Sequence, residues 1–301
     1  MTCTIPVQYQ PSHLSLGCNS MIQIIPTNFL HFPINSGSPT SPNLYARMPT
    51  QYDSIGAHYD ALNSMPIQQI QHVAMRKLIG PLDPSKRILE LACGTGFYTR
   101  QLLSWGASHV TAIDISPVMV SAAQKALPEE MKDHVSFIVA DCARSDMWNN
   151  TELKDQKGSF DFVVAAWLLN YAATGEEMQR MFENACSALK PGGKFIALTI
   201  HAAIIDMFQP DDPLNESEKH LGTVYDILGS VDDGYRACCR AFGEPEIKWE
   251  FYFLREDVYS KAAAEASMDQ LEWSVVLPDE ENLEKLASQV LDFSLKNFFN
   301  N

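Results

Sequence analysis

Residues 88–102 read ILELACGTGFYTRQL, and this stretch decides the fold. An apolar run that contains the acid Glu90 is followed by Gly94 and Gly96, which one residue separates, and then by a helical pattern. Short apolar runs bounded by glycine are typical of strands in the middle of a sheet. Glycine allows backbone conformations and close approaches to a ligand that other residues resist. The stretch therefore predicts a buried strand, a ligand-binding turn and a helix.

The alternation of strand and helix continues on both sides of this stretch. Ser116 and Pro117 form a typical N-cap and first-turn pair for one of the helices. Strands are predicted at 87–92, 109–114, 135–140, 160–167, 194–200, 246–254 and 270–276. Strands separated by helices predict a parallel sheet that binds ligands at the carboxyl ends of its strands. The predicted fold class is α/β: a Rossmann-like, seven-stranded, mostly parallel sheet with helices on both faces, and the last two strands as an antiparallel edge.

The composition of the chain excludes several classes of partner. Of 301 residues, 46% are hydrophobic, and the formal net charge is -15. The apolar content supports a large core, whereas the negative charge repels phosphate backbones and anionic lipid head groups. No apolar run approaches the roughly 18 residues of a membrane span. We expect neither a nucleic-acid partner nor a membrane partner.

The seven cysteines are odd in number and contain no CxxC pair. This pattern indicates neither a disulfide framework nor a zinc site. We therefore predict a cytoplasmic protein with no bound metal.

The first 46 residues contain no Lys, Arg, Asp or Glu, and Pro, Ser and Asn recur in them without apolar periodicity. Such composition is typical of a disordered segment. We predict a disordered, uncharged tail at 1–47, which could be deleted without effect on folding, and one domain at 48–301. Turn signals dominate after the fifth strand, so residues 202–247 are expected to form a cap that contacts the acceptor.

The ligand of the glycine turn is the next question, because nicotinamide dinucleotides use the same geometry. The dinucleotide fingerprint requires a third glycine where this chain has Thr99. A carboxylate at Glu90 suits a ligand with an ammonium or sulfonium group better than a pyrophosphate. Asp114 ends the second strand, where it suits ribose hydroxyls, and Asp141 follows the third, where it can accept from an adenine amine. These features favour S-adenosylmethionine.

Five ordered motifs carry a resemblance to a known family. They are LELACGTG (89–96), AIDIS (112–116), VADC (139–142), FDFVVAAWLLNYA (160–172) and LKPGG (189–193). Together they resemble the class I S-adenosylmethionine-dependent methyltransferases, and most closely the small-molecule enzymes of the toxoflavin-synthase and ubiquinone/menaquinone types. Several such enzymes serve microbial and fungal secondary metabolism. The resemblance is strong from about Tyr52 to Leu198.

The resemblance implies roles for individual residues. Glu90 and the backbone from Gly94 to Gly96 would hold the methionine part of the cofactor, and Ala92 replaces the commoner glycine of this motif. The full implied cofactor site consists of Tyr52, Tyr59, Glu90, Ala92, Gly94, Gly96, Asp114, Ile115, Met119, Asp141, Cys142 and Trp167. Within it, Tyr52 and Tyr59 would belong to a helix that closes over the cofactor. Ile115 and Met119 would flank the adenine, and Cys142 would bind its edge together with Asp141.

Methyl transfer needs an aligned nucleophile, exclusion of water and, for some acceptors, removal of a proton. His201 and Tyr171 are the catalytic candidates, because both follow strands at the edge where ligands bind. The predicted function is methylation of a small molecule at O, N or C. The alternative is a protein that binds S-adenosylmethionine without transferring its methyl group, as a supporting subunit or as a non-methylating relative such as a cyclase. Methylation of RNA or protein is disfavoured by the acidity of the chain and the lack of a basic stripe.

Overall fold

Five neighbouring parallel strands form most of the larger sheet. The computed structural model describes residues 18–24, 50–200, 222–242 and 246–274. The five strands are β2 (Ile88–Leu91), β3 (Val110–Asp114), β4 (Val135–Val139), β5 (Phe160–Ala166) and β6 (Leu189–Thr199). Every residue of β2 and β3 is buried, as expected for parallel strands that helices cover on both faces. The Rossmann-like, mostly parallel sheet predicted for this part of the chain is confirmed.

Two strands at one edge differ from the prediction. β1 (Cys18–Ile24) and β10 (Met268–Ser274) complete the strand order β10-β1-β6-β5-β2-β3-β4, and both pair in parallel. The predicted antiparallel edge is therefore wrong. The prediction of a disordered tail at 1–47 is wrong for residues 18–24, because the backbone of β1 pairs with β6 and β10. That pairing is a tertiary interaction, which the local pattern does not reveal; the other residues of 1–47 lie outside the described ranges.

Helices connect and cover the strands, and their ends follow local rules. They are α1 (Gln51–Ile55), α2 (Pro66–Ile79), α3 (Phe97–Ser104), α4 (Pro117–Ala126), α5 (Gly175–Ala188) and α6 (Glu256–Glu265), with a 3₁₀ segment at Gly56–Ser64. Pro66 occupies the first turn of α2, where its missing N–H costs nothing. Ser116 caps α4 by accepting from the Met119 amide at 3.2 Å, as the sequence predicts.

A separate antiparallel sheet stands where part of the cap is predicted. It consists of β7 (Thr223–Val231), β8 (Gly234–Ala241) and β9 (Ile247–Leu254) in that order. The predicted sixth strand is thus a member of this small sheet, and its predicted place in the large sheet is wrong. Residues 202–221 of the predicted cap lie outside the described ranges.

The small sheet packs against the carboxyl end of the large one. Tyr225 of β7 and Phe251 of β9 share an apolar cluster with Ile200, and Trp167 and Tyr171 contact that cluster from the large sheet. Aromatic side chains from both sheets therefore meet beside the edge where ligands of parallel sheets bind. Within the described ranges, no helix combines the length and apolar character that crossing a membrane requires.

Candidate active site

Two adjacent cavities lie at the carboxyl ends of the central strands. The first, which we call the glycine-turn cavity, encloses about 630 Å³, its solvent-open part included. It is lined by nine of the predicted site residues: Tyr52, Tyr59, Glu90, Ala92, Gly94, Asp114, Met119, Trp167 and Tyr171. The second, the aromatic cavity, encloses about 520 Å³ on the same measure.

Five predicted site residues are not part of this lining. Ile115 follows β3, and Asp141 and Cys142 follow β4, so the predicted adenine contacts lie beside the glycine-turn cavity along the same sheet edge. Gly96 is the N-cap of α3. His201, the first catalytic candidate, lies outside the described residues, and its role stays a prediction.

The two glycines of the turn serve different purposes. Gly94 (φ 54°) and Gly96 (φ 77°) both occupy the left-handed region that favours glycine. A Cβ added to Gly94 would meet open space, whereas one added to Gly96 would lie 3.1 Å from the Cβ of Ala123 in α4. Gly94 therefore leaves room at the cavity, and Gly96 lets α3 pack closely against α4.

Ala92 adopts φ 57°, a conformation that costs a residue with a side chain roughly 1–2 kcal/mol. Alanine at this position, where the family more often has glycine, therefore adds conformational strain to the turn. The next residue, Cys93, donates its amide to the Ile113 carbonyl at 2.9 Å, which joins the turn to β3.

Gly96→Ala is expected to lower the free energy of unfolding by about 2–3 kcal/mol, because it adds a steric clash to left-handed strain. Gly192 offers a matched control, since it has φ 76° but no atom within 4 Å of an added Cβ. Gly192→Ala should add only the backbone strain and lower the free energy of unfolding by about 1 kcal/mol. Urea denaturation of both variants measures the difference, and equal losses would contradict the packing role of Gly96.

Asp114 holds the turn in place through its carboxylate. Oδ2 accepts from the Gly94 amide and Oδ1 from the Ser116 amide, both at 2.8 Å. The side chain is only 6% exposed, so these charge-assisted bonds are formed in a poorly solvated environment. One carboxylate thus couples the glycine turn to the N-cap of α4 and faces the cavity.

Glu90 is the buried acid at the centre of the opening stretch. It is 2% exposed, and the Thr99 hydroxyl donates to its Oε2 at 2.5 Å. The pKa of Glu90 is raised to about 8, mainly by burial; the hydrogen bond from Thr99 opposes the rise, and nearby Asp114 contributes to it. Thr99, which stands where a dinucleotide fingerprint has glycine, therefore positions the acid that a cationic ligand would meet.

The segment that begins with α1 covers the glycine-turn cavity and makes hydrogen bonds to three other parts of the chain. Tyr52 and Tyr171 share a hydrogen bond between their hydroxyls. Ser116 donates its hydroxyl to Asp53 Oδ1 at 2.6 Å, which joins the covering helix to the cap of α4. On the third side, the Gln51 side chain exchanges two hydrogen bonds with the Glu250 backbone of β9, at 2.8 and 2.7 Å. This covering segment matches the predicted lid in position.

Three aromatic residues and one glutamine line both cavities and separate them. They are Tyr59, Trp167, Tyr171 and Gln68. Trp167 adopts φ 67°, and its ring nitrogen donates to Gln71 Oε1 at 3.2 Å. A bulky residue in this backbone region stores strain of roughly 1–3 kcal/mol, and such residues are concentrated at functional sites.

Tyr171, the second catalytic candidate, lies on this shared wall. Burial raises the pKa of Tyr171 well above its ordinary value of 10. The phenol is therefore protonated near neutral pH. It is suited to orient a group by hydrogen bonding and not to remove a proton.

Sequence reasoning missed several residues of the aromatic cavity. Gln71 of α2 is buried although polar, and it lies one turn after the core residue Ile67. A glutamine on the apolar face of a helix is a signal that sequence alone could have supplied. Tyr225 and Trp249 reach the cavity from the small sheet, whose docking the sequence does not reveal. The described residues contain no group of three or more His, Cys, Asp or Glu placed to hold a metal ion.

Comparisons with known proteins agree with this geometry. A family model described as a methyltransferase domain matches residues 88–193. The mRNA cap guanine-N(7) methyltransferase of Caenorhabditis elegans is 35% identical over 117 residues, which cover 36% of this chain and 30% of that protein. The demethylmenaquinone methyltransferase of Clavibacter sepedonicus is 30% identical over 148 residues, 48% of this chain and 54% of that protein. This chain thus spans about a third to a half of the length of these curated relatives.

Among solved structures, the CcbJ methyltransferase of Streptomyces caelestis is similar with a TM-score of 0.47 and 17% identity. The match covers 74% of this chain and 88% of that one. The matched range of the family model contains β2, the glycine turn, Asp114 and the strands that follow. Residues 88–193 of this chain therefore match a methyltransferase domain, and the named relatives support the class I S-adenosylmethionine-dependent family.

Proposed function

We propose that this protein transfers a methyl group from S-adenosylmethionine to a small molecule. The observation that carries the proposal is the shared wall: Tyr59, Trp167 and Tyr171 line both cavities. An acceptor in the aromatic cavity would therefore lie directly beside a cofactor in the glycine-turn cavity. The relatives described above are named as methyltransferases, which supports the same reaction class.

The residues of the glycine-turn cavity fit the cofactor. The open space beside Gly94 admits a ligand close to the backbone, and the buried acid Glu90 suits a positively charged group. We assign the methionine part to Glu90 and the turn, the ribose to Asp114, and one side of the adenine to Met119. Ile115, Asp141 and Cys142 complete this assignment at the neighbouring strand ends.

When bound, S-adenosylmethionine would supply a methyl group for in-line attack by an acceptor atom, and its sulfur would leave as S-adenosylhomocysteine as the new bond to the methyl carbon forms. The chain contributes alignment and the exclusion of water. The Tyr52–Tyr171 hydrogen bond would hold the covering segment over a bound cofactor, and Tyr171 would orient the acceptor as a hydrogen-bond donor. His201 remains our candidate for a group that accepts a proton from the acceptor.

Alternative acceptors are less well supported than a small molecule. A cap methyltransferase acts on mRNA, but the charge of -15 opposes an RNA partner. The aromatic cavity, bounded by both sheets, suits a molecule that enters it whole. We further propose, from the resemblance of the motifs, a role in secondary metabolism in the cytoplasm. The runner-up function is cofactor binding without transfer.

Transfer is tested with S-adenosylmethionine labelled in its methyl group, incubated with the full chain and an extract of small molecules. We expect labelled product and S-adenosylhomocysteine to accumulate together. Tyr171→Phe should lower the rate on the order of tenfold, because it removes the hydroxyl that orients the acceptor and the bond to Tyr52. Cofactor binding with no product from any extract fraction would favour the runner-up function.

A further inference from the structure

We propose that the aromatic cavity selects an uncharged, flat aromatic acceptor that carries a hydroxyl or carbonyl group. This inference rests on the proposed function, and it names the class of acceptor. The described residues that line the cavity include none with a carboxyl, ammonium, guanidinium or imidazole group. A charged ligand would lose its hydration there without gaining a counter-charge from these residues.

Aromatic side chains approach the cavity from two directions. Trp167 and Tyr171 follow β5 of the large sheet, whereas Tyr225, Trp249 and Phe251 belong to the small sheet. Such rings gain most from contact with another flat ring, through stacked or edge-on arrangements. Their placement on two separate sheets favours a flat ligand held between them.

Side-chain amides add polar groups to the hydroxyls that line the cavity. Gln71 is fixed by the bond from Trp167, and Asn170 accepts from the Thr199 hydroxyl at 2.7 Å through Oδ1. An amide side chain can donate to a carbonyl or accept from a hydroxyl. Gln68, Gln71 and Asn170 therefore suit one neutral hydrogen-bonding group on an otherwise apolar acceptor.

The test compares three probes that share one ring system and differ in charge. The affinities of 2-naphthol, 2-naphthoate and 2-naphthylmethylammonium for the full chain are measured by calorimetry at pH 7, with and without S-adenosylhomocysteine. We expect the naphthol to bind at least tenfold more tightly than either charged probe. Equal or tighter binding of a charged probe, or no binding of the naphthol, would overturn the proposal.

Variants locate the probe. Trp249→Leu should weaken naphthol binding at least fivefold. Trp105→Leu serves as the matched control and should leave it unchanged, because Trp105 packs against His72 and lines neither cavity. Should Trp249→Leu fail to fold, Gln71→Glu provides a second test, since a new acid should raise affinity for the ammonium probe at least fivefold. These experiments measure binding and not methyl transfer. Their outcome for the class of acceptor is therefore independent of the outcome of the transfer assay.

Discussion

Asp114→Ala is expected to lower the affinity for S-adenosylmethionine on the order of a hundredfold, or about 3 kcal/mol. The substitution removes the proposed ribose contact and also the acceptor of the Gly94 and Ser116 amides. Both amides would lose a charge-assisted partner near the cavity, so the turn would no longer be held in its binding conformation. Calorimetric titration of parent and variant measures the loss.

Two controls separate binding from stability. Asp114→Asn retains an oxygen for one amide but turns an N–H group towards the other, so an intermediate loss is expected. Asp133→Ala changes an exposed acid and should leave the affinity unaltered. An affinity for Asp114→Ala within threefold of the parent would show that Asp114 does not organise the site.

Glu90→Gln is expected to raise stability at high pH and to weaken cofactor binding. The pKa of Glu90 is about 8 in the folded protein against an ordinary value of 4.5, so the folded state holds a proton that the unfolded state releases. Between these two values the stability of the parent falls as pH rises, by on the order of a few kcal/mol in total. The glutamine variant has no carboxyl group to ionise, so at pH 9 it should unfold at higher urea concentration than the parent.

Binding should change in the opposite direction. A cationic ligand beside Glu90 favours the carboxylate, so we expect the affinity of the parent to rise as pH approaches 8, with release of a proton. Glu90→Gln should bind the cofactor at least tenfold more weakly at pH 8, and any pH dependence that stems from Glu90 should disappear. Glu130→Gln, at an exposed position, is the control. A glutamine variant that lost stability at pH 9 would contradict the assignment of a raised pKa.

The sequence predicts the central strands and the cofactor side of the site because both depend on local patterns. The apolar run with Glu90, the glycines after it and Asp114 at the end of the next strand are each visible within a few residues. Parallel sheet topology then brings these strand ends to one edge. The role of Thr99 is not visible in the same way, since only the fold shows that its hydroxyl reaches Glu90.

The acceptor side depends on contacts between distant segments, and the sequence predicts less of it. The strand β9 is predicted, but its pairing partner β8 is not. β8 is joined to β7 by a hairpin in which Val231 pairs with Gly234 across Asp232 and Asp233. Aspartates favour turns, but the irregular surroundings of this pair obscure the hairpin in the sequence. Without that hairpin, nothing in the sequence places Tyr225 and Trp249 beside Trp167.

Direct titration of the full chain with S-adenosylmethionine and with NADH tests the central claim, that the glycine turn and its two acids form a site for a cationic methyl donor. We predict saturable binding of S-adenosylmethionine at micromolar concentrations, at least tenfold weaker binding to Glu90→Gln at pH 8, and no measurable binding of NADH in the same range. Tight binding of NADH to the parent, or S-adenosylmethionine affinity that Glu90→Gln leaves unchanged, would contradict the account.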